Sequence, residues 1–199
     1  SAPIVTAAAE AKEPGEMLTT DLRSGADFMV DVFKALDIKY VASNCASSFR
    51  GLQESVINYG GNRDPQYVLV MHEESGAAMC NGYAKIEGKP AIMCGHGTVG
   101  LQHAVMGLYD AFCDRVPVYM VIGNTLEPRT EVGNVHSAHD PAAIVRDMTK
   151  YDAAPVTLDR FAEEAVRAYK FSMTPPTMPI VLTMDEELQV KPVGKEQPR

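Results

Sequence analysis

The sequence is poor in basic residues, has few cysteines and contains no long apolar run. Lys and Arg number 18 against 26 Asp and Glu, and the net charge of −8 disfavours a general nucleic-acid-binding or anionic-membrane surface. No apolar stretch approaches the roughly 20 residues that a membrane-spanning helix needs. The four cysteines, which show no CxxC spacing, are Cys45, Cys80, Cys94 and Cys113. We therefore expect buried free thiols rather than a zinc site or a disulfide framework.

Two common catalytic motifs are also absent or incomplete. The sequence has no Gly-x-Ser-x-Gly elbow, which excludes a serine hydrolase of the α/β type. Residues 95–100 do spell G-x-G-x-x-G after a predicted strand. However, the next strand, predicted at 118–122, is not followed by the acidic residue that would bind a ribose, so a dinucleotide-binding fold is not predicted.

The composition suffices for one packed core, since 46% of the 199 residues are hydrophobic and 22% are charged. Apolar runs alternate with segments that have helical spacing, and the run at 67–71 predicts a buried strand. The other predicted strands are 39–43, 91–94, 118–122 and 179–184. This alternation predicts an α/β fold with a doubly wound, mainly parallel sheet of about six strands and helices on both faces.

Helix boundaries are predicted from capping residues and from Gly or Pro stop signals. Thr20 or Asp21 is predicted to cap a first helix that ends near residue 36. Ser47 or Ser48 is predicted to cap a second helix that ends near residue 60, and a capped turn is expected at Asp140. The remaining predicted helices are 73–86, 100–113 and 158–173.

The two ends of the chain look different from its middle. Residues 1–20 have no packing pattern and are expected to form a mobile tail, whereas 21–186 form the domain. Residues 187–199 are polar and predict a linker that leads to further domains. Ser1 is compatible with a cytoplasmic protein that has lost its first residues or with an exported, periplasmic protein whose signal peptide was cleaved.

The most informative stretch is 71–84, where two carboxylates follow a predicted strand and begin a predicted helix. Glu73 and Glu74 could simply complement the helix dipole, which contributes about 0.3–1 kcal/mol. Alternatively, one of them faces inward and handles a proton. Ligands bind at such strand-to-helix junctions in open α/β sheets.

The stretch and three later blocks resemble a known family. The first block comprises His72 and Glu73 with 75–78, 82–85 and 88–90. The later blocks are 95–98 (Gly-His-Gly-Thr), 107–112 (Gly-Leu-Tyr-Asp-Ala-Phe) and 114–123 with its Val-Pro and Ile-Gly pairs. Together they resemble the pyrimidine-binding, N-terminal domain of thiamine-diphosphate-dependent enzymes of the acetolactate synthase, pyruvate oxidase and benzoylformate decarboxylase group.

The resemblance implies a cofactor, a reaction and a role for Glu73. In the family a buried Glu binds the aminopyrimidine ring nitrogen N1′ of thiamine diphosphate and favours its reactive tautomer, and the match places that Glu at position 73. The implied reaction is decarboxylation of a 2-oxo acid with possible carboligation. A degenerate, non-catalytic partner-binding domain and one subunit of a two-subunit decarboxylase are the alternatives.

The resemblance also implies partners for this chain. The family binds Mg²⁺ and the diphosphate through a Gly-Asp-Gly motif and a later Asn, which this sequence lacks, so the Mg²⁺ ligands are expected outside the chain. The site would form in a homodimer or tetramer, with a diphosphate-binding domain from the same or another chain. Within the chain we predict no metal ligands, because His136 and His139 have no third ligand at a spacing that is typical of metal sites.

Five further positions are predicted at the site by the resemblance. His96 is a second candidate catalytic residue, with Gly97 beside it as a cofactor contact; a solvated loop histidine is the simpler alternative. Ser47 is a candidate cofactor and substrate contact, although helix capping explains it equally well. His136 and His139 are substrate-pocket candidates, with a flexible polar loop as the alternative.

Overall fold

The protein is described by a computed structural model that covers residues 23–125 and 136–193. Its strands are β1 (Arg23–Ser24), β2 (Tyr40–Ser43), β3 (Gln66–Leu69), β4 (Ile92–His96), β5 (Tyr119–Asn124), β6 (Tyr151–Ala153), β7 (Ile180–Asp185) and β8 (Pro192–Val193). Six of them form one parallel sheet in the order β3-β2-β4-β5-β7-β6. β1 and β8 pair antiparallel in a separate two-stranded sheet. The predicted fold class is therefore confirmed.

Six α-helices connect or flank the strands within the described residues. They are α1 (Gly25–Ala35), α2 (Arg50–Glu54), α3 (Glu73–Glu87), α4 (Thr98–Asp114), α5 (Leu158–Met173) and α6 (Glu186–Val190). A 3-10 turn, Ser47–Phe49, leads into α2, and a π-helical turn, Ser55–Tyr59, extends it. Two further 3-10 turns are Pro141–Ile144 and Arg146–Met148.

The two faces of the sheet are covered by different kinds of residues. On one face α1, α2 and α5 bury large side chains, and Phe33 packs edge-to-face on Tyr119 and Phe161 at centroid distances of 6.4 and 5.9 Å. On the other face α3 and α4 bury mostly small residues. A Cβ at Gly107 would lie 2.7 Å from the Cβ of Ala77, so α3 and α4 approach closely only because residue 107 is glycine.

The strand order reverses between β2 and β4. The chain leaves β2 towards β3 on one side, whereas it leaves β4 towards β5 on the other side. The helices that follow β2 and β4 therefore cover opposite faces, and a crevice opens between the carboxyl ends of these two strands.

Several predicted helix caps are wrong. α1 begins at Gly25, with Ser24 as its N-cap in a capping box with Asp27, so Thr20 or Asp21 does not cap it; those two residues lie outside the described ranges. Ser47 and Ser48 lie inside the 3-10 turn, and the N-cap there is Ala46.

The turn predicted at Asp140 has no side-chain cap either. Asp140 is instead paired with Arg146 at 2.7 Å. The turn is closed by the backbone instead, because the Asp140 carbonyl accepts the Ala143 N–H at 3.3 Å.

Four other expectations differ from the structure. The strand predicted as buried, β3, lies at the edge of the sheet with Leu69 64% exposed. β6 and α6 have no counterpart in the prediction, and residues 187–193 belong to α6 and β8 rather than to a linker. All four cysteines are free, but Cys45 and Cys113 are exposed. The tails at 1–20 and 194–199 lie outside the described residues.

Within 23–125 and 136–193, none of the helices is long and apolar enough to cross a bilayer.

Candidate active site

Residues at the ends of two strands and at the start of a helix bring polar side chains into the crevice between β2 and β4. Asn44 follows β2, His96 is the last residue of β4, and Glu73 is the first residue of α3. All three lie at carboxyl ends of strands or at the helix that follows one, which is where ligands bind in open α/β sheets.

Glu73 is buried, with 5% of its surface exposed, yet its carboxylate is held by long contacts. Asn44 Nδ2 donates to Oε1 at 3.4 Å, and His103 Nδ1 lies 3.3 Å from Oε2. Glycines leave room beside this group, since a Cβ at Gly100 would lie 3.3 Å from Oε1. The site therefore presents a buried carboxylate whose oxygens are not saturated by strong hydrogen bonds.

Two histidines lie beside Glu73. His72 is the N-cap of α3, and its Nδ1 accepts the backbone N–H of Glu74 at 3.2 Å. Its ring stacks on that of His103, with centroids 4.8 Å apart and planes 15° from parallel. His103 was not among the residues predicted at the site. The signal for it was its spacing, because His103 lies one helical turn after Gly100 and so on the same side of α4.

His96 belongs to a second cluster. Its Nδ1 accepts the backbone N–H of Gly97 at 3.0 Å and lies 2.6 Å from Ser48 Oγ, while its Nε2 lies 3.1 Å from His136 Nδ1. An Nδ1 that accepts an N–H carries no proton, so Ser48 donates to it and the ring proton of neutral His96 sits on Nε2. His96 therefore donates to His136.

The pKa of His96 is lowered below its usual value of 6.5. Burial of the ring is the main cause, the neighbouring His136 adds to it, and Glu73 opposes it. His96 is therefore held mainly as a neutral imidazole at neutral pH, which suits a proton relay.

Ser48 is placed by a residue from the far end of the chain. Gln189 on α6, only 1% exposed, donates from Nε2 to the Ser48 carbonyl at 2.8 Å and accepts the Leu52 N–H at 3.1 Å. The sequence offered no signal for this contact, because Gln189 follows Ser48 by 141 residues.

The remaining predicted positions differ in their placement. Gly97 is tightly packed, since a Cβ there would lie 2.7 Å from the Gly123 carbonyl oxygen. Ser47 is exposed, and it is Ser48 that contacts His96. His136 joins His96, whereas His139 is exposed and is not part of either cluster among the described residues. The roles predicted for Ser47, Gly97 and His139 stay predictions.

Comparison with known proteins decides the family. Residues 23–144, more than half of the chain, match the family model described as "Thiamine pyrophosphate enzyme, N-terminal TPP binding domain". The chain belongs to this family. The matched residues include Glu73, His96 and His103, and the resemblance noted in the sequence is confirmed.

The relatives of this thiamine pyrophosphate binding domain are longer proteins. Acetolactate synthase 2 of Brassica napus is 24% identical over 84% of this chain, which spans 26% of that protein. The acetolactate synthase large subunit of Lactococcus lactis is 26% identical over 65% of this chain, which spans 22% of it. The chain thus covers about a quarter of the length of the curated relatives it matches.

Solved structures confirm the fold of the domain. Benzoylformate decarboxylase from Polynucleobacter necessarius superposes with a TM-score of 0.79 at 20% identity, over 89% of this chain and 32% of that one.

Proposed function

We propose that this domain binds the aminopyrimidine ring of thiamine diphosphate at Glu73 and serves a 2-oxo-acid decarboxylase or carboligase. The observation that carries the proposal is the buried Glu73 carboxylate, which is held only by long contacts in the crevice between the carboxyl ends of β2 and β4. Gly100 leaves space beside Glu73 Oε1. The family match is the reason for choosing thiamine diphosphate as the cofactor. The residues present therefore fit the pyrimidine.

Thiamine diphosphate, when bound, supplies the nucleophilic carbon for cleavage and formation of bonds next to a carbonyl group. Glu73 would share a proton with the pyrimidine nitrogen N1′ through Oε1, the oxygen nearest Gly100. Asn44 would hold this carboxylate in place through its 3.4 Å contact. Because Glu73 is buried, water competes little for that proton.

His96 would transfer a proton in the reaction or bind the substrate carboxylate through Nε2, which would then leave its contact with His136. Its neutral ring carries the proton on Nε2, and Ser48 and the Gly97 N–H fix the ring through Nδ1. His136 would accept or return the Nε2 proton across their 3.1 Å contact. Ser47 and His139 stay candidate substrate contacts of the same pocket.

The domain would act together with a second copy and with a diphosphate-binding domain that holds Mg²⁺. The outer surface of the α3–α4 pair exposes large apolar residues, and Ile86 is 85% and Met106 56% exposed. Met79 and Tyr109 on the same helices are about half exposed. These helices also carry Glu73 and His103, so a copy that covers them would lie beside the site and exclude water from it.

The test is made on the complete protein that contains this domain, with thiamine diphosphate and Mg²⁺ present. Glu73→Gln should keep the melting temperature within a few degrees and reduce 2-oxo-acid turnover on the order of 10²–10⁴-fold, as expected for a lost proton-transfer group. Glu74→Gln is the matched control, because Glu74 is the exposed neighbour in the same helical turn. Turnover by Glu73→Gln equal to that of Glu74→Gln would contradict the proposal.

A further inference from the structure

The group formed by His72, Glu73 and His103 has the composition of a metal site. One ligand atom from each of these residues lies within 4.8 Å of the others. We propose that this group binds a divalent transition metal such as Zn²⁺, and that the metal and the pyrimidine of the cofactor exclude one another at Glu73, because a carboxylate that coordinates a cation cannot also hold the proton that it would share with N1′. The exclusion, though not the metal site itself, rests on the function proposed above.

The donors suit a borderline-soft ion. Two imidazoles and one carboxylate with an open fourth position form a donor set that zinc accepts in catalytic sites. With metal–ligand bonds of about 2.0–2.1 Å, tetrahedral donors lie about 3.4 Å apart. His103 Nδ1 and Glu73 Oε2 are already 3.3 Å apart. Only His72 must move to complete the set.

His72 is able to make that movement. Its side chain is exposed, and the ring rests against His103 rather than in the core. Its Nδ1 lone pair now accepts the Glu74 N–H at 3.2 Å. A neutral imidazole has one lone pair, so binding a metal through either nitrogen requires His72 to give up this helix cap.

Glu73 would anchor the metal. The carboxylate is buried and its Oε1 accepts from Asn44, which leaves Oε2 facing His103 as the metal ligand. Such a second contact orients a metal-binding carboxylate. The N-terminus of α3 carries partial positive charge and opposes a cation, so we expect weaker binding than at a structural zinc site.

The other histidine cluster lacks these properties. Both nitrogens of His96 are engaged, Nδ1 by Ser48 and Gly97 and Nε2 by His136. In the described part of the chain, no carboxylate is hydrogen-bonded to either of those rings. The geometry therefore separates a metal-binding cluster from a proton-relay cluster.

The metal site is tested by isothermal titration of Zn²⁺ into the complete protein without thiamine diphosphate. His103→Asn should weaken the Zn²⁺ affinity at least tenfold, and Glu73→Gln should do the same. His139→Asn is the control, because it removes an exposed histidine outside the cluster. Co²⁺ should give a visible d–d absorption band with the wild-type protein that His103→Asn loses.

Equal Zn²⁺ affinities for wild type, His103→Asn and His139→Asn would overturn the metal site.

The exclusion is tested by measuring the Kd of thiamine diphosphate at fixed Mg²⁺ with increasing Zn²⁺. The Kd should rise with Zn²⁺ in the wild type and should rise much less in His103→Asn. A parallel rise in both proteins would refute the exclusion. Zn²⁺ bound at the cluster with no thiamine diphosphate binding at all would instead refute the proposed function and leave the metal site standing.

Discussion

Two histidine clusters adjoin in one crevice, where Gly100 lies beside both Glu73 and His96, and they differ in what is buried. In the His72–Glu73–His103 cluster the carboxylate is buried and both imidazoles are exposed. In the Ser48–His96–His136 cluster no carboxylate from residues 23–125 or 136–193 is hydrogen-bonded to the rings, and the His96 ring itself is partly buried. The comparison teaches that the same residue type offers metal ligands in one setting and a neutral proton carrier in the other, because the neighbours decide which lone pairs are free.

The largest expected effect is on turnover, and the affinity for thiamine diphosphate then distinguishes the two clusters. His96→Gln should lower turnover by about 100-fold, the low end for a proton-transfer group, and should leave the affinity for thiamine diphosphate within about twofold. Glu73→Gln should lower both, because Glu73 is the residue proposed to bind the pyrimidine ring of the cofactor. The measurements are kcat at saturating cofactor and the Kd of thiamine diphosphate. An equal loss of cofactor affinity in the two variants would show that the clusters act as one.

The next largest effect is on the close packing of α3 against α4, which brings the residues of the His72–Glu73–His103 cluster together. Gly107→Ala places a methyl group 2.7 Å from the Cβ of Ala77 and should separate α3 from α4, which lowers the free energy of unfolding by about 1–3 kcal/mol. Gly82→Ala is the control, because a Cβ there has nothing within 4 Å; it should raise that free energy by up to about 1 kcal/mol. Urea unfolding measures both, and equal stabilities for the two variants would contradict the close packing of α3 on α4.

A smaller effect concerns the support of His96. Ser48→Ala removes the donor at 2.6 Å from Nδ1 and should lower the free energy of unfolding by about 1 kcal/mol. Ser47→Ala, at the exposed neighbour, should change it by less than about 0.5 kcal/mol. Thermal unfolding of both variants checks this difference, and a larger loss in Ser47→Ala would favour the sequence-based assignment of Ser47 over the observed role of Ser48.

The smallest effect is a titration. The pKa of His96 should lie below 6.5, because its ring is buried and faces His136. His136→Asn should raise this pKa and Glu73→Gln should lower it, since the two neighbours act in opposite directions. The ring protons of His96, followed by NMR from pH 4 to 8, report the pKa, and a value above 6.5 would contradict the assigned environment.

The same shift gives the sign of a stability change. A histidine whose pKa is lowered in the folded protein binds its proton more readily when unfolded. His96 therefore contributes stability that is fully present above the unfolded pKa of about 6.5 and is lost as the pH falls from there towards the folded value. His136→Asn should reduce this loss.

The sequence predicted the parts of the fold that depend on local pattern. α5 was predicted with its observed ends, because its apolar residues have helical spacing and Pro175 follows it; in the structure Thr157 caps it. The strand-to-helix junction at Glu73 and the parallel sheet follow from the alternation of apolar runs with helix-spaced segments, and the family resemblance added the cofactor.

The parts that were missed depend on contacts between distant residues. Ser48 rather than Ser47 reaches His96 because Gln189 holds the turn from 141 residues away. α6 and β8 were assigned to a linker because their sequence is polar, yet Gln189 and Leu188 are buried against the domain. His103 meets Glu73 only because small residues let α3 and α4 approach closely. A pattern within one segment carries none of this information.

The pairing of β1 with β8 has a mechanical consequence. Arg23 lies opposite Val193 and Ser24 opposite Pro192, and the Gly25 N–H donates to the Lys191 carbonyl at 2.7 Å. The polypeptide thus enters and leaves the domain side by side, at a ladder that is separate from the six-stranded sheet. A force applied to the chain on both sides of the domain would separate β1 from β8 one residue pair at a time, before it acted on the six-stranded sheet. Gln189 lies three residues before β8 and holds the Ser48 carbonyl, so a force that opened this ladder would next act on the turn that positions His96.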